Sequence, residues 1–206
     1  MLFPERGVHA SWSFFLLVLL AAVISPVEIV VSVLLAAALH ECGHLLALRA
    51  FRVPVEGLKL SALGAVLYAR GARRLSYGRE LIVTLAGRGM NLLCGLVTAA
   101  CALRASWVEG FVLAGAHILL AAFNLLPIPP LDGAHALDLA ISALFGPLVG
   151  DAVAALAGVL CSLALLGGVV YLYVQTRGGT LVIFAALALL LSALKELRLA
   201  RRAIKV

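Results

Sequence analysis

Charged side chains are scarce in this chain: they make up 13% of its 206 residues, whereas hydrophobic residues make up 64%. A soluble domain is about a quarter charged, so an ordinary soluble fold is excluded. The composition instead indicates an all-α polytopic membrane protein. At roughly 20 residues for each membrane-spanning helix, the chain holds about six spans and leaves no room for a separate soluble domain.

Cysteines and aromatic residues are also few, and their arrangement argues against cysteine-based sites and against nucleic-acid binding. The four cysteines stand singly in apolar stretches without a C-x-x-C pair, which excludes a cysteine zinc site and a disulfide framework. Sixteen lysines and arginines give a net charge of +6, but they flank apolar runs and lack interleaved aromatic residues. The charge therefore indicates membrane orientation, and nucleic acid is not expected as a partner.

Apolar runs predict six spans within one domain, residues 1–206, without a CBS or PDZ domain. The spans lie near residues 12–25, 28–50, 80–103, 107–126, 151–174 and 180–197. The first run resembles the core of a signal peptide, but it continues into Ser25 and Pro26 without a small-x-small cleavage site and is interpreted as a span. His9 precedes this span and is expected at the membrane interface.

The distribution of basic residues indicates the orientation. Six spans place both termini on one side of the bilayer. Thirteen lysines and arginines fall on that side, in the termini and the region 49–79, while two fall on the other side and Arg88 lies within a span. By the positive-inside rule the thirteen face the cytoplasm. The sequence therefore predicts a multi-pass integral membrane protein with cytoplasmic termini.

The longest connection, residues 51–79, contains a segment too apolar for an ordinary loop and too short to span as a helix. This segment runs from Leu58 to Tyr68, and Gly64 at its centre allows a turn. We expect a small membrane-associated hairpin that is buried against protein or lines a wet cavity. An interfacial amphipathic segment is the alternative.

The second predicted span contains His40, Glu41 and His44 in the pattern H-E-x-x-H. Residues four apart lie on one face of a helix, so two imidazoles converge on one metal ion, and Glu41 can take a proton from water beside them. Composition gives this pattern by chance only about 0.004 times in such a chain. Because ionisable groups in a span mark function, we interpret the motif as a zinc site, roughly 15 Å below the cytoplasmic helix end and open to the cytoplasm.

A catalytic zinc ion needs a third protein ligand, and the best source is the segment N-L-L-P-I-P-P-L-D-G, residues 124–133. Its three prolines forbid a continuing helix, so the chain opens and can aim Asp132 at another helix, while Gly133 permits close backbone approach. His135 would share a helical face with Asp132 and is the alternative ligand. His117 is interpreted as a packed or hydrogen-bonded residue.

The two motifs resemble those of the site-2 protease family of intramembrane zinc metalloproteases, in particular the compact SpoIVFB-like branch that includes the stage IV sporulation protease. The resemblance consists of H-E-x-x-H at 40–44 and N-x-x-P-x-x-P-x-D-G at 124–133. It extends over most of the chain through the order of the spans, the apolar loop after the first motif, and G-x-x-x-N at Gly87 and Asn91.

The resemblance implies hydrolysis of a peptide bond in a membrane-associated protein. It implies Zn²⁺ held by His40, His44 and Asp132. Glu41 would be the base that activates water. In the sporulation branch the substrate is a sigma-factor precursor and a small membrane inhibitor protein controls the enzyme, so both are expected partners beside the lipid bilayer.

Three residues are expected to contact the substrate. The resemblance places Asn124 near the cleft, and His135 is placed to hydrogen-bond a carboxylate or a developing oxyanion. Gly64 belongs to the expected hairpin, whose exposed edge can receive an unwound substrate segment by strand addition. Lipid cannot replace the backbone hydrogen bonds that the substrate loses, so such an edge would be needed.

The chain departs from the family pattern at two places. Gly-Pro-x-x-Asn becomes Gly87-Arg88-Gly89-Met90-Asn91, which places a charge near an expected helix break, and Asp-Gly-Gly becomes Asp-Gly-Ala at 132–134. Because a charge facing lipid is costly, Arg88 is expected at the cytoplasmic interface or in a wet cleft.

Two other functions use the same residues. One is a metal-ion transporter or channel, and the other is a catalytically inactive membrane chaperone. The intact Glu41 beside two histidines argues against both, and a carrier would often show duplicated halves, which this sequence lacks.

Overall fold

The computed structural model describes residues 7–61, 64–69, 75–176 and 180–204. Over these ranges the chain forms seven helices and three short strands. The chain divides into two compact units, residues 1–123 and 124–206. The prediction of a helical protein is confirmed, since strands occur in one small sheet only among the described residues.

The first unit carries the H-E-x-x-H motif and the sheet. Its elements are β1 (Gly7–Ala10), α1 (Trp12–Ile24), α2 (Val27–Ala50), β2 (Val55–Ser61), β3 (Gly64–Ala69), α3 (Tyr77–Ala105) and α4 (Val108–Asn124). The last residue of α4 falls in the second unit. Helices α2 and α3 pack directly against each other, and residues of α3 contact the two histidines of the motif.

Helix α2 ends in a tight turn that leads into the sheet. Arg52 adopts a left-handed conformation (φ 58°), and its N–H donates to the carbonyl of Arg49 at 2.9 Å. The N–H of Val53 donates to the carbonyl of Leu48, also at 2.9 Å. These bonds satisfy backbone carbonyls that have no partner within the helix at its C-terminal end. The apolar side chains of Leu48 and Val53 are buried. The turn fixes the path from the motif helix to strand β2.

The hairpin expected between residues 58 and 68 is present. Strand β2 pairs antiparallel with β3, and Ser61 faces Gly64, whose φ of 119° is a conformation that glycine tolerates. The turn at residues 62 and 63 lies outside the described residues. Strand β1 was not expected: it pairs parallel with β2 and carries the exposed His9. One edge of the hairpin is therefore already occupied, and its remaining edge is β3.

The second unit contains α5 (Asp132–Phe145), α6 (Pro147–Thr176) and α7 (Thr180–Ile204). The chain is not helical between Leu125 and Leu131, as the three prolines predict. A Cβ atom added to Gly133 would overlap the carbonyl oxygens of Leu125 and Leu126, which confirms the close backbone approach. A Cβ atom on Gly158 would lie 2.8 Å from Pro129 Cδ, so the proline segment packs against α6. Helix α5 was not counted among the six spans.

The distribution of apolar residues is that of a membrane protein. Within the described ranges, α2, α3 and α6 are long and apolar enough to cross a membrane, while α1 and α4 are shorter apolar helices. Large side chains such as Leu16 and Leu19 are exposed, whereas small residues such as Ala36 and Ala102 are buried, as expected for helices in lipid. The chain is an integral membrane protein, and the count of six spans stays a prediction.

Candidate metal centre

The face of α2 that carries His40 and His44 is buried: the two side chains are 5% and 8% exposed. Their Nε2 atoms are 3.1 Å apart, and the rings meet edge to face. Two nitrogen ligands at 2.0–2.1 Å from one tetrahedral zinc ion are about 3.3 Å apart. The observed separation therefore fits two ligands of a single metal ion.

The orientation of His44 is fixed by a backbone carbonyl of α3. Its Nδ1 lies 2.7 Å from the carbonyl oxygen of Val83. Since a carbonyl only accepts, the Nδ1–H donates, and the lone pair of the neutral imidazole is on Nε2. Metal-binding histidines commonly use their second nitrogen in this way. His44 is thus held in the tautomer that a metal ligand needs.

Two glycines let α2 and α3 approach closely beside the histidines. A Cβ atom on Gly43 would lie 2.6 Å from the carbonyl oxygen of Ala86. A Cβ atom on Gly87 would lie 2.5 Å from His44 Nε2 and 2.9 Å from His40 Nε2. Small residues at such a crossing let helix backbones meet. Gly87 therefore leaves open the space beside the Nε2 atoms of both histidines.

We expect Gly87→Ala to displace the imidazoles and to lower the metal affinity on the order of 10- to 100-fold, the range found when the surroundings of metal ligands are disturbed. Metal analysis of the purified variant checks this. Gly89→Ala is the matched control, because it lies on the same helix and a Cβ atom there meets nothing within 4 Å. Equal metal content in both variants would contradict this account of Gly87.

Asn91 and His117 continue the hydrogen-bonded contacts from His40, on the side of its ring opposite the Nε2 atom. Asn91 is fully buried, and its amide lies 3.4 Å from His40 Nδ1 and 3.0 Å from His117 Nδ1. His117 is 1% exposed on α4. A Cβ atom on Gly95 would lie 3.2 Å from the Cβ of His117, so this glycine allows α4 to approach. The interpretation of His117 as a packed, hydrogen-bonded residue is confirmed.

Arg88 is buried within the protein, and its expected place at the cytoplasmic interface or in a wet cleft stays a prediction. It is 4% exposed, and its Nη2 donates to the carbonyl oxygen of Thr84 at 2.9 Å. Protein surrounds the guanidinium, so the charge avoids lipid, as the cost of an exposed charge requires. Helix α3 continues through this position without the break that the family pattern led us to expect.

The remaining predicted site residues lie on four different elements. Glu41 is half-buried on α2, between the two histidines in sequence. In the second unit, Asp132 is the half-buried first residue of α5, where the helix dipole favours a carboxylate. Asn124 is half-buried at the end of α4, and Gly64 begins β3. The roles of these residues stay predictions.

His135 is exposed and lines a cavity within the second unit. The cavity has a volume of about 400 Å³. Its walls include Leu131 and Ala134, which flank the start of α5, and the carboxylates of Asp138 and Asp151. The substrate-facing role expected of His135 stays a prediction.

Sequence reasoning noted Gly87 and Asn91 only as part of a motif and missed what α3 contributes to the site. Val83, Gly87, Asn91 and Gly95 follow one another at intervals of four residues, so they lie along one helical face. On this face, a backbone carbonyl and a side-chain amide form hydrogen bonds with histidines of α2 and α4, and two glycines allow these helices to pack closely against α3. The regular spacing of small and polar residues in an apolar helix was the signal that could have shown that these four residues share a face.

Comparison with known proteins identifies the fold. The chain is similar in structure to a site-2 protease from Methanocaldococcus jannaschii, with a TM-score of 0.68. The similarity covers 96% of this chain and 94% of that one, at 20% sequence identity. No protein-family model and no curated protein matches the sequence. At this identity the likeness establishes the fold alone.

Proposed function

We propose that this chain is an intramembrane zinc metalloprotease that hydrolyses a peptide bond of a membrane-associated protein. The observation that carries the proposal is the pair of buried Nε2 atoms of His40 and His44, 3.1 Å apart, on a helix that also carries Glu41. The site-2 protease fold supports the same reading. Ionisable side chains within an apolar, membrane-spanning helix mark function by default.

We infer that Asp132 supplies the third ligand. Together with the two histidines it makes a set of two imidazoles and one carboxylate, and each residue offers one ligand atom. This donor set suits zinc in a catalytic site, which keeps its fourth position for water or substrate. One carboxylate with two neutral imidazoles lowers the net charge of the site to +1, which reduces the cost of a dication at low dielectric.

In this mechanism the chain's own residues orient the reactants and move the proton. A bound zinc ion would supply Lewis-acid polarisation of the scissile carbonyl and would make a nearby water more acidic. Glu41 takes a proton from the attacking water and later gives it to the leaving amine. Val83 holds the imidazole of His44 in the ligand tautomer, and Gly87 keeps the reaction space free of side chains.

The sheet offers a place for the substrate. A peptide bond within a helix is shielded, so the substrate must unwind before cleavage, and lipid cannot satisfy its open backbone groups. Because β1 occupies one edge of β2, we propose that the substrate adds to the remaining hairpin edge, strand β3, which begins at Gly64. Asn124 and His135 would then contact the segment near the cleavage site.

The finer assignments follow from the sequence motifs. We propose that the protein acts as a member of the compact sporulation-type branch, with a sigma-factor precursor or another regulatory protein as substrate and a small membrane protein as inhibitor. We also propose cytoplasmic termini and a site that opens toward the cytoplasm, because the basic residues concentrate on that side.

Co-expression tests the proposed function. Candidate membrane-anchored regulatory proteins from the same genome are expressed with the wild-type chain or with His44→Ala, and the products are separated by size. A shortened product that depends on His44 is expected for the true substrate. Metal uptake into vesicles by the purified protein, without cleavage of any candidate, would instead favour a transporter.

A further inference from the structure

A groove runs along the surface of the first unit between the beginnings of α2 and α4. It has a volume of about 320 Å³, and its walls come from residues 27–35 and 107–113. We propose that this groove holds a phospholipid whose headgroup carries a primary amine. An acyl chain lies along the apolar walls, and the ammonium group lies beside two carboxylates. The site is separate from the metal centre and does not depend on the proposed cleavage reaction.

The apolar walls follow from the spacing of side chains on the two helices. Val31 and Leu35 are four residues apart on one face of α2, and they are 56% and 44% exposed. Ser32, which also lines the groove, is buried. Leu113 is half-buried and belongs to the wall formed by α4. Apolar side chains that are exposed within a bilayer contact acyl chains, so this part of the groove suits a hydrocarbon chain.

The indole of Trp107 lines the groove and is positioned by the turn between α3 and α4. Ser106 adopts a left-handed conformation (φ 51°), and the N–H of Trp107 donates to the carbonyl oxygen of Ala102 at 3.0 Å. A Cβ atom on Gly110 would overlap the indole ring, so the ring packs directly against the backbone of α4. Tryptophan side chains concentrate at the membrane interface, where the indole N–H can donate to a phosphate oxygen. This end of the groove therefore lies at the level of the lipid headgroups.

Two carboxylates determine which headgroup charge fits. Glu28 and Glu109 are exposed in the first turns of α2 and α4, and both line the groove. The positive ends of the two helix dipoles offset about half a charge each, so about one negative charge remains. Among the described residues that line the groove, none is a lysine or an arginine. An ammonium group complements this charge, whereas a headgroup with a net negative charge is repelled.

The size of the groove favours a lipid chain over a protein helix. At about 30 Å³ for each non-hydrogen atom, the share of one water molecule in the liquid, the groove holds roughly ten such atoms. A helix with its side chains is about 10–12 Å across and would not enter. On the orientation proposed above, this end of α2 and α4 also lies away from the cytoplasm, where few lysines and arginines flank membrane spans. A lipid amine is therefore the cation that this surface meets.

The groove is remote from the metal centre along the same helix. Glu28 lies about 18 Å from His40 along the axis of α2, at 1.5 Å for each residue. We therefore expect the lipid to support the packing at the beginnings of α2 and α4 and to leave peptide-bond cleavage unchanged. The measurements that test the proposal are lipid content and lipid preference.

Native mass spectrometry of the purified full chain measures the retained lipid directly. The protein in detergent is given an equal mixture of phosphatidylethanolamine and phosphatidylglycerol with the same acyl chains. We expect one retained phosphatidylethanolamine, favoured over phosphatidylglycerol on the order of 10-fold, because two negative charges line the groove and each contributes about as much as a basic residue near a charged membrane. Equal retention of the two lipids, or no retained lipid, would overturn the proposal.

Two substitutions and a control test whether the lipid lies in this groove. Glu109→Lys reverses a charge beside the headgroup and is expected to lower the preference for phosphatidylethanolamine on the order of 10-fold. Leu113→Trp fills the apolar part and is expected to remove the retained lipid. The matched control is Leu119→Trp, at a position of the same helix that is 71% exposed and outside the groove, and it should keep the lipid.

Three results would contradict the assignment of the groove. A folded Leu113→Trp protein that retains the lipid would place the lipid elsewhere. A co-purified membrane protein that Leu113→Trp releases would assign the groove to a protein helix. If Leu113→Trp does not fold, Glu109→Lys decides, and an unchanged lipid preference in that variant would overturn the proposal.

Discussion

Glu41→Gln is expected to abolish peptide-bond cleavage while the metal stays bound. The amide keeps the volume of the carboxyl group and much of its hydrogen bonding, but it cannot accept a proton at neutral pH. General base catalysis contributes about 10²- to 10⁴-fold to rate, so the turnover of the variant should fall at least by that factor. The measurement pairs metal analysis with cleavage of a substrate by the purified protein.

The control for Glu41→Gln lies on the same helix. Glu28 is exposed in the first turn of α2, so Glu28→Gln removes the same charge more than three turns away and is expected to keep full activity. Substantial cleavage by the Glu41 variant would remove Glu41 from the role of base. Loss of metal together with activity would instead place it among the residues that hold the ion.

Asp132→Ala is expected to lose both metal and activity, whereas His135→Ala should keep its metal and lose at most part of its rate. Removal of a ligand should lower the metal affinity by more than the 10- to 100-fold that outer partners contribute. Asp132 begins α5, where the proline segment ends, and His135 is exposed one turn later. Metal analysis of both purified variants makes the comparison.

The opposite pattern would overturn the ligand assignment. A metal-loaded Asp132→Ala protein with an empty His135→Ala protein would make the histidine the third ligand. The site would then hold three neutral imidazoles and keep a net charge of +2, which is more costly to bury at low dielectric. The two alanine variants serve as controls for each other, because they change neighbouring positions of one helix.

The sequence predicted those parts of the site that depend on local spacing. His40 and His44 are four residues apart on a helix, so their convergence follows from helical geometry alone, and the structure places their Nε2 atoms 3.1 Å apart. The break at the proline segment follows equally from local stereochemistry, since proline has no N–H to donate. Both features were predictable without knowledge of any neighbouring element.

The parts that depend on contacts between distant elements were not predicted. The tautomer of His44 is set by the carbonyl of Val83, which is 39 positions away, and every residue offers such a carbonyl. Gly87 was noted within a motif, but only the crossing with α2 shows which atoms a side chain there would meet. These contacts depend on how the helices pack, and the residue pattern of one helix carries little information about its packing against another.

Strand β1 was missed for a related reason. It has four residues, all exposed, and among the described residues it pairs with β2 alone, more than 40 positions later. An edge strand of this length carries no alternation long enough to distinguish it from a loop. Because β1 pairs with β2, the substrate is proposed to add to strand β3 and not to the other edge of the hairpin.

The most direct test of the account is cleavage by the purified chain in lipid vesicles, followed before metal removal, after a chelator, and after single metal ions are returned. We expect cleavage to stop with the chelator and to recover with Zn²⁺, while His44→Ala stays inactive throughout. Cleavage that continues in the metal-free protein at the wild-type rate would contradict the assignment of this chain as a zinc metalloprotease.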